Sequence, residues 1–257
     1  MRVLCRVMAA LPPFHVAVAP VTAVELGASW HQGCPVGPAK LRTLHVSFVG
    51  FDGRAHTGAI VAAVPLQAPP FSHSVSRVTA SQLPYAWHPG CAVSPGRLRR
   101  VRLTYWGFDR RAHTGELVAN EAAVSDLVHV FSRLYGARFP IRRLRPIDAY
   151  GGKDERSLEA DNTAAFNCRY VIGPGPRRWS AHAYGEAIDV NTVENPYVQG
   201  SDVLPPAGRS YLDRTRYRKG MAVAGGVLVR AFASVGWLWG GRWTAGPDYQ
   251  HFSRTGG

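Results

Sequence analysis

The sequence predicts an α+β fold, with a small antiparallel sheet and packed helices preceded by a duplicated β-hairpin segment. Three observations lead to this prediction. A stretch that begins at Trp30 recurs without a gap at Trp87, each copy alternates apolar and polar residues, and the second copy continues into a helical pattern. Hydrophobic residues make up 46% of the 257-residue chain, which is enough for a sizeable core.

The two copies read "WHQGCPVGPAKLRTLHVSFVGFDGRAHTG" and "WHPGCAVSPGRLRRVRLTYWGFDRRAHTG". Each predicts a strand, a "GFD" turn and a second short strand, at 59–64 in the first copy and 116–119 in the second. Two copies are too few for a solenoid, which needs at least three. The alternating apolar residues of the first strand are Leu44, Val46 and Phe48 in one copy and Val101, Leu103 and Tyr105 in the other.

His56 and His113 occupy equivalent positions in the two copies, and so do Trp30 and Trp87. His56 and His113 have no second ligand at a useful spacing, so we expect a structural or turn role rather than metal binding. Trp30 and Trp87 are expected to be core or anchor residues rather than ligand stackers.

The second copy leads into a helix for which Asn120 is the expected N-cap. The sequence "IRRLRPIDAY" alternates like a strand, and "GGKDERSLEADNTAAF" is typical of a polar loop. A further helix is expected over about 220–235, with Gly236 at its C-terminal cap. The apolar face of the first helix consists of Val124, Leu127, Val128, Phe131, Leu134 and Tyr135.

These patterns suggest four segments along the chain. They are an N-terminal segment and possible signal at 1–27, the first hairpin copy at 28–66, a Pro- and Ser-rich linker at 67–84, and the main domain at 85–257. The N-terminus is ambiguous, since Arg2 and Arg6 precede apolar residues and a loose cleavage site at Val21–Ala23, but prolines interrupt the apolar run. No stretch is long and apolar enough for a membrane-spanning helix.

The chain is strongly basic, with 30 Lys and Arg against 17 Asp and Glu and a net charge of +13. Such a charge favours anionic partners, which include nucleic acid, lipid headgroups and acidic cell-wall polymers. No nucleic-acid-binding signature accompanies the charge, so nucleic acid is not favoured. The four cysteines lack C-x-x-C spacing, and Cys91–Cys168 is the preferred disulfide if the protein is exported.

The stretch "SAHAYGEAIDVN" holds two candidate metal ligands, His182 and Asp189. Strand alternation points Asp189 away from the apolar side, and Gly185 permits a sharp turn between the two residues. His251 near the C-terminus would be a third ligand, and three protein ligands are what a catalytic zinc usually takes. Asp248 would then be a general base. Taken singly, a His–Asp pair at this spacing or a terminal D-x-x-H motif is more often structural than metal-binding.

Together, "SAHAYGEAIDVN" and "GWLWGGRWTAGPDYQHF" resemble the zinc D-alanyl-D-alanine carboxypeptidase family, which includes VanY-type enzymes and phage L-alanyl-D-glutamate endolysins. The resemblance covers roughly 98–253. It implies a DD-peptidase-like, or hedgehog-like, α+β domain. By position, it implies His182, Asp189 and His251 as zinc ligands, Asp248 as the catalytic carboxylate, and Ser180 and Arg169 as substrate-binding residues.

The resemblance implies an extracytoplasmic zinc peptidase, expected to be a monomer, that acts on peptidoglycan stem peptides. Release of the terminal D-Ala is the first expectation, and cleavage between L-Ala and D-Glu is the alternative. A non-catalytic zinc-containing protein that binds the cell wall is a second alternative. Anionic wall polymers are further possible partners, and Arg169 could instead belong to a surface ion pair.

Overall fold

The computed structural model describes residues 15–26, 32, 39, 41–49, 54–63, 69–171 and 176–256. The expectations for Trp30 and for the "GFD" turn of the first copy lie outside the described residues. The chain divides into two compact units, Met1–Ala68 and Pro69–Gly257. Helices and small antiparallel sheets are mixed along the chain, which agrees with the predicted α+β class.

The first unit contains a three-stranded antiparallel sheet and a short helix. The strands lie in the order β1–β2–β3, and β2 and β3 form a hairpin. Apolar side chains on this hairpin are open to solvent, and Ile60 is 60% exposed. The elements are β1 (His15–Pro20), α1 (Ala23–Leu26), β2 (Leu41–Val49) and β3 (Ala55–Ala63).

The second unit begins with another three-stranded antiparallel sheet, in the order β4–β5–β6. The second strand of each hairpin starts earlier than predicted, so His56 and His113 lie in strands and not in turns. His113 stacks on Tyr105 and places its Nε2 2.9 Å from Asp109 Oδ1, so its role is structural as expected. The strands are β4 (His73–Arg77), β5 (Leu98–Trp106) and β6 (Ala112–Asn120).

Helix α2 (Val124–Gly136) covers one face of this sheet, as the apolar periodicity predicts. A 3₁₀ turn at Glu121–Ala123 precedes it. The Asn120 side chain accepts a hydrogen bond from the Ala122 amide at 3.1 Å, so Asn120 caps this turn, whereas the N-cap position of α2 itself is Ala123, which makes no side-chain cap. The main core lies between the sheet and the helix. Its fully buried members include Val101, Leu103, Leu117, Leu127, Phe131, Phe232 and Phe252.

The predicted linker differs from the structure. Strand β4 lies within 67–84 and pairs with β5, and the Phe71 ring lies 5.8 Å from that of Tyr135 on α2. The pairing supplies hydrogen-bond partners to the edge of β5 that β6 does not cover, which explains why a polar, Ser-rich segment is ordered here. Residues 69–84 therefore belong to the second unit.

The strand predicted within "IRRLRPIDAY" is absent from the described structure. Asn191 Oδ1 accepts from the Arg142 amide and Asn162 Oδ1 from the Arg145 amide, so asparagine side chains satisfy this backbone in place of a strand. The residues Ile147–Tyr150 form a 3₁₀ turn instead.

Two further predictions change in length or type. The expected polar loop contains α3 (Asp154–Glu159), whose two acidic residues in the first turn suit a helix N-terminus. The predicted helix over 220–235 shortens to α4 (Val227–Ala233), because Gly225 and Gly226 interrupt its first half. Gly236 has φ 81°, as expected beyond a helix end.

Another three-stranded sheet of the second unit carries the candidate site. Its order is β10–β11–β7, all antiparallel, and Ile188, Val190 and Phe252 anchor it in the main core. The strands are β7 (Ala187–Asp189), β10 (Leu238–Trp239) and β11 (His251–Ser253), and β8 (Tyr197–Gln199) pairs separately with β9 (Asp202–Leu204).

The structure contains the preferred disulfide between Cys91 and Cys168. Both sulfurs and His88 lie close together, but because the sulfurs are bonded to each other this group is not a free metal site. Over the described ranges, no helix combines the length and the apolar character needed to cross a bilayer.

Candidate metal centre

His182 is held by two local contacts that fix its ring. Ser180 caps the 3₁₀ turn Ala181–Tyr184, with its Oγ accepting from the His182 amide at 3.3 Å. His182 Nδ1 lies 2.6 Å from the carbonyl oxygen of Ala165. Because a carbonyl only accepts, Nδ1 carries the hydrogen, and in the neutral ring Nε2 keeps a lone pair that can bind a metal.

Gly185 turns the chain from His182 into strand β7. Its φ is 68°, and a Cβ at this position would lie 2.6 Å from the amide nitrogen of Asn120. Glycine is therefore required both by the left-handed backbone and by the space available. This confirms the predicted role of Gly185 in bringing His182 back toward Asp189.

Strand pairing joins the two ends of the site. Asp189 on β7 and His251 on β11 are directly opposed partners in the antiparallel register. Residues 62 positions apart in sequence thus project from neighbouring strands, where opposed side chains are close. The sheet supplies two of the candidate ligands, and the turn before β7 supplies the third.

The three candidate ligands meet in a small triangle. His182 Nε2 lies 3.2 Å from His251 Nδ1, and each of these nitrogens lies 3.3 Å from an oxygen of Asp189. Ligand atoms on a tetrahedral zinc with bonds of about 2.0–2.1 Å lie about 3.3 Å apart. The spacing and the His₂Asp donor set therefore fit a zinc ion.

The electrostatics of the triangle are those of a carboxylate that faces positive charge. Burial by itself would raise the pKa of Asp189, but His182 and His251 outweigh it and hold that pKa far below its usual range. Burial would lower the pKa of His182, and Asp189 outweighs it and raises that pKa. A bound cation could take over the charge-balancing role of the two rings.

Asp248 adds a second buried carboxyl group beside the triangle. Its Oδ1 is buried with no hydrogen-bond partner, which is unusual for a carboxylate in a folded protein. Burial, followed by the charge of Asp189, raises the pKa of Asp248 to about 7. A carboxyl group in this state can accept a proton near neutral pH.

The "WGG" element holds Asp248 and His251 close together. Gly240 accepts from the Asp248 amide at 3.0 Å, and a Cβ on Gly240 would lie 2.8 Å from the Asp248 carbonyl oxygen. Trp243 packs its ring 5.3 Å from that of His251. The sequence motif that contains this element does not by itself assign a role to Gly240 or Trp243, because their contacts with Asp248 and His251 arise only in the folded chain.

Arg169 lies near the triangle, beside Ser180. The Ser180 amide donates to the Arg169 carbonyl at 3.0 Å, and the positive charge of Arg169 partly opposes the rise in the pKa values of His182 and Asp248. Its guanidinium also pairs with Asp154, which accepts from Asn167. Asp154 was missed because it sits in a segment predicted as loop.

The structure thus gathers all six predicted site residues in one region. His182, Asp189 and His251 form the triangle, while Asp248 and Arg169 lie close enough to change its charge balance. Ser180 is buried, and its hydroxyl oxygen is engaged as the helix cap of the turn that carries His182. The Ala165 carbonyl, which orients His182, was not predicted because any residue could supply it.

Comparison with known protein families gives a match to the C-terminal part of the chain. Residues 174–254 match the family model described as D-alanyl-D-alanine carboxypeptidase. The match confirms the family resemblance predicted from the sequence, and its range contains the triangle, Ser180 and Asp248, whereas Arg169 lies before it. No curated protein and no solved structure matches the chain.

Proposed function

Since its C-terminal segment matches the D-alanyl-D-alanine carboxypeptidase family, we propose that the protein is a zinc-dependent peptidase that removes the terminal D-Ala from peptidoglycan stem peptides. The observation that carries this proposal is the triangle of His182, Asp189 and His251 with donor separations of 3.2–3.3 Å. When bound there, zinc supplies a Lewis acid that acidifies water and polarises a carbonyl group.

Asp248 is the proposed general base. Its unpartnered Oδ1 takes a proton from the attacking water and returns it to the departing amine of D-Ala. A site that only held a structural metal would have no need for a buried carboxyl group without a partner, because such a group costs folding free energy. This feature favours a catalytic site over a non-catalytic wall-binding protein.

Arg169 and Ser180 are proposed to position the substrate. A guanidinium can hold the terminal carboxylate of the peptide through two parallel hydrogen bonds. The pairing with Asp154 orients Arg169 without neutralising the whole guanidinium, which carries five N–H donors. Ser180 supports the site through the cap that fixes His182.

The conditions outside the cytoplasm suit this proposal. A disulfide persists in oxidising compartments, and the net charge of +13 attracts anionic wall polymers. We propose an extracytoplasmic location for this reason. Recovery of the protein from the cytosol, with Cys91 and Cys168 both reactive toward a thiol-labelling reagent, would contradict it.

The decisive experiment measures zinc content and reaction products together. We expect about one zinc per chain and release of D-Ala from a stem pentapeptide, identified by mass spectrometry. In Asp248→Asn, zinc should remain while the rate falls about 10²–10⁴-fold, because only the proton acceptor is lost. In Asp189→Asn, zinc binding itself should weaken.

The other outcomes are equally clear in the product spectrum. Cleavage between L-Ala and D-Glu would replace the carboxypeptidase assignment with an endopeptidase. Bound zinc with no hydrolysis of any muropeptide would favour a binding protein. Full activity in Asp248→Asn would remove Asp248 from the mechanism.

A further inference from the structure

A second candidate site lies in the same unit, in a surface pocket of about 290 Å³. Three cationic side chains, Arg110, Arg138 and Lys219, line it, and all three are exposed. Within the described part of the chain, none of the three pairs with a carboxylate. The pocket therefore gathers positive charge that the protein itself does not neutralise.

The walls of the pocket are aromatic. Trp106 and Phe139 form buried parts of the wall, and Tyr217 is 55% exposed at its edge. The guanidinium of Arg138 lies 5.1 Å from the Trp106 ring centroid, and one face of Phe108 is covered by Arg142 at 3.8 Å. Planar rings beside cations that have no carboxylate partner suit a ligand that has both an anionic group and an apolar or planar part.

The backbone is strained at both arginines. Arg110 has φ 61° in the turn between β5 and β6, and Arg138 has φ 51° just beyond the end of α2. Glycine is the usual residue at such left-handed positions, and the first copy of the repeat indeed has Gly53 where the second has Arg110. Two arginines held at a conformational cost in one pocket indicate a role for their side chains.

The pocket is separate from the candidate metal centre. None of the residues of the triangle lines it, and neither Asp248 nor Arg169 does. Asp109, which adjoins Arg110, forms hydrogen bonds with the His113 ring and the Arg111 amide and makes no ion pair with Arg110. The pocket needs no metal to attract an anion.

We propose that this pocket binds an organic phosphate, a ligand with a phosphate or pyrophosphate group on a planar or apolar carbon skeleton. The guanidinium groups of Arg110 and Arg138 and the ammonium group of Lys219 hold the phosphate oxygens, since Arg and Lys are the side chains that bind phosphate. Tyr217, the exposed ring of the pocket, contacts the carbon skeleton, while the more buried Trp106 and Phe139 form the wall behind it. This proposal is independent of the proposed peptidase activity.

The test is a calorimetric titration of the full chain with three probes. These are uridine diphosphate, whose carbon skeleton contains a planar ring, farnesyl pyrophosphate, whose carbon skeleton is apolar, and inorganic pyrophosphate as the reference. We expect one-to-one binding of at least one organic probe, about tenfold tighter than pyrophosphate. The organic probe that binds more tightly shows whether the pocket prefers a planar or an apolar carbon skeleton.

Two glycine variants make the test specific. Arg110→Gly and Arg138→Gly remove a charge and also relieve the left-handed strain, so their melting temperatures should equal or exceed that of the parent protein. Each should weaken binding about tenfold or more, the size expected for losing a charged hydrogen bond. Arg77→Ala, which removes an exposed charge from the end of β4, should change binding less than about twofold.

Several results would overturn the proposal. They are the absence of saturable binding, pyrophosphate binding as tight as both organic probes, and an equal loss of affinity in Arg77→Ala, which would indicate general charge attraction. Loss of binding in Asp189→Asn would place the phosphate on the metal centre instead.

Discussion

Gly240 shows how one residue without a side chain shapes the candidate site. Replacement by alanine would place a Cβ 2.8 Å from the Asp248 carbonyl oxygen and 3.2 Å from the Cβ of His251. The Asp248 carbonyl belongs to the backbone and cannot rotate away as a side chain would. The chain at Asp248 and His251 should therefore shift. We expect Gly240→Ala to lower the free energy of unfolding by about 1–3 kcal/mol and to weaken zinc binding, measured by denaturation and by chelator competition.

Gly136 provides the matched control for this prediction. It ends helix α2, and a Cβ there would meet nothing within 4 Å. Gly136→Ala should therefore leave zinc affinity unchanged and raise the free energy of unfolding by about 0.5–1 kcal/mol. Equal zinc affinities in the two variants would contradict the role assigned to Gly240.

Glu194 should make the stability of the protein depend on pH. Burial and the nearby Asp161 raise its pKa to about 8 in the folded protein, although Arg142 opposes this, against 4.5 for an ordinary glutamate. The folded state therefore keeps a proton that the unfolded state has already lost. Between these two values the free energy of unfolding should fall as pH rises, by at most about 1.4 kcal/mol per pH unit.

The comparison with Glu194→Gln isolates this effect. Glutamine cannot ionise, so the variant should lose less stability between pH 5 and pH 8 than the parent protein does. Denaturant unfolding at several pH values in this range measures the difference. Parallel curves for the two proteins would show that Glu194 has no such pKa shift.

At the residue scale, the sequence predicted side chains well and backbone partners poorly. The sequence singled out His182, Asp189 and His251, which the structure brings together, because few residue types can bind a metal and their surroundings matched a known pattern. The Ala165 carbonyl that orients His182 could not be predicted, since every residue carries a carbonyl. Asp154 was missed because its pairing with Arg169 depends on the tertiary fold.

At the scale of elements, apolar periodicity predicted the hairpins and α2 but was misleading at 141–146. In that segment Ile141 and Leu144 are buried at a spacing of three, and Asn191 and Asn162 bind the backbone from outside the segment. Such long-range side-chain contacts leave no local signal. The same limit applies to β4, whose pairing with β5 orders a segment that its composition assigns to a linker.

The two hairpins offer a direct test of what buries a strand. Ile60 on β3 and Leu117 on β6 occupy equivalent positions of the repeat, yet Ile60 is 60% exposed and Leu117 is fully buried against the core that includes α2. Leu117→Ala should lower the free energy of unfolding of the second unit by about 2–5 kcal/mol. Ile60→Ala should change the free energy of unfolding of the first unit by less than about 0.5 kcal/mol, measured by the same denaturation experiment.

At the scale of the whole molecule, the sequence repeat extends further than the predicted hairpin. The residues "PPF" occur at 12–14 and at 69–71, and "VTA" occurs at 21–23 and at 78–80. Strands β1 and β4, which follow the two "PPF" stretches, each pair with the first strand of a hairpin. The weak upstream similarity was overlooked because the strong match begins only at Trp30.

The second unit should function without the first. Every residue of the candidate metal centre lies within 69–257, and the β4–β5–β6 sheet is completed by strands of that unit alone. We expect a protein of residues 69–257 to melt cooperatively, to bind zinc as tightly as the full chain, and to cleave the same bond. Zinc competition and product mass spectrometry on both proteins measure this.

A cut at the boundary predicted from sequence is the informative control. A protein of residues 85–257 lacks β4, which leaves the β5 edge unpaired, and it lacks Leu83, which is fully buried in the smaller core cluster. It should therefore be less stable than 69–257 and more prone to aggregate, because an unpaired edge strand invites pairing with other chains. Equal stability of the two truncated proteins would show that the domain begins near residue 85. If the protein of residues 69–257 binds zinc normally but is inactive, the first unit takes part in the reaction.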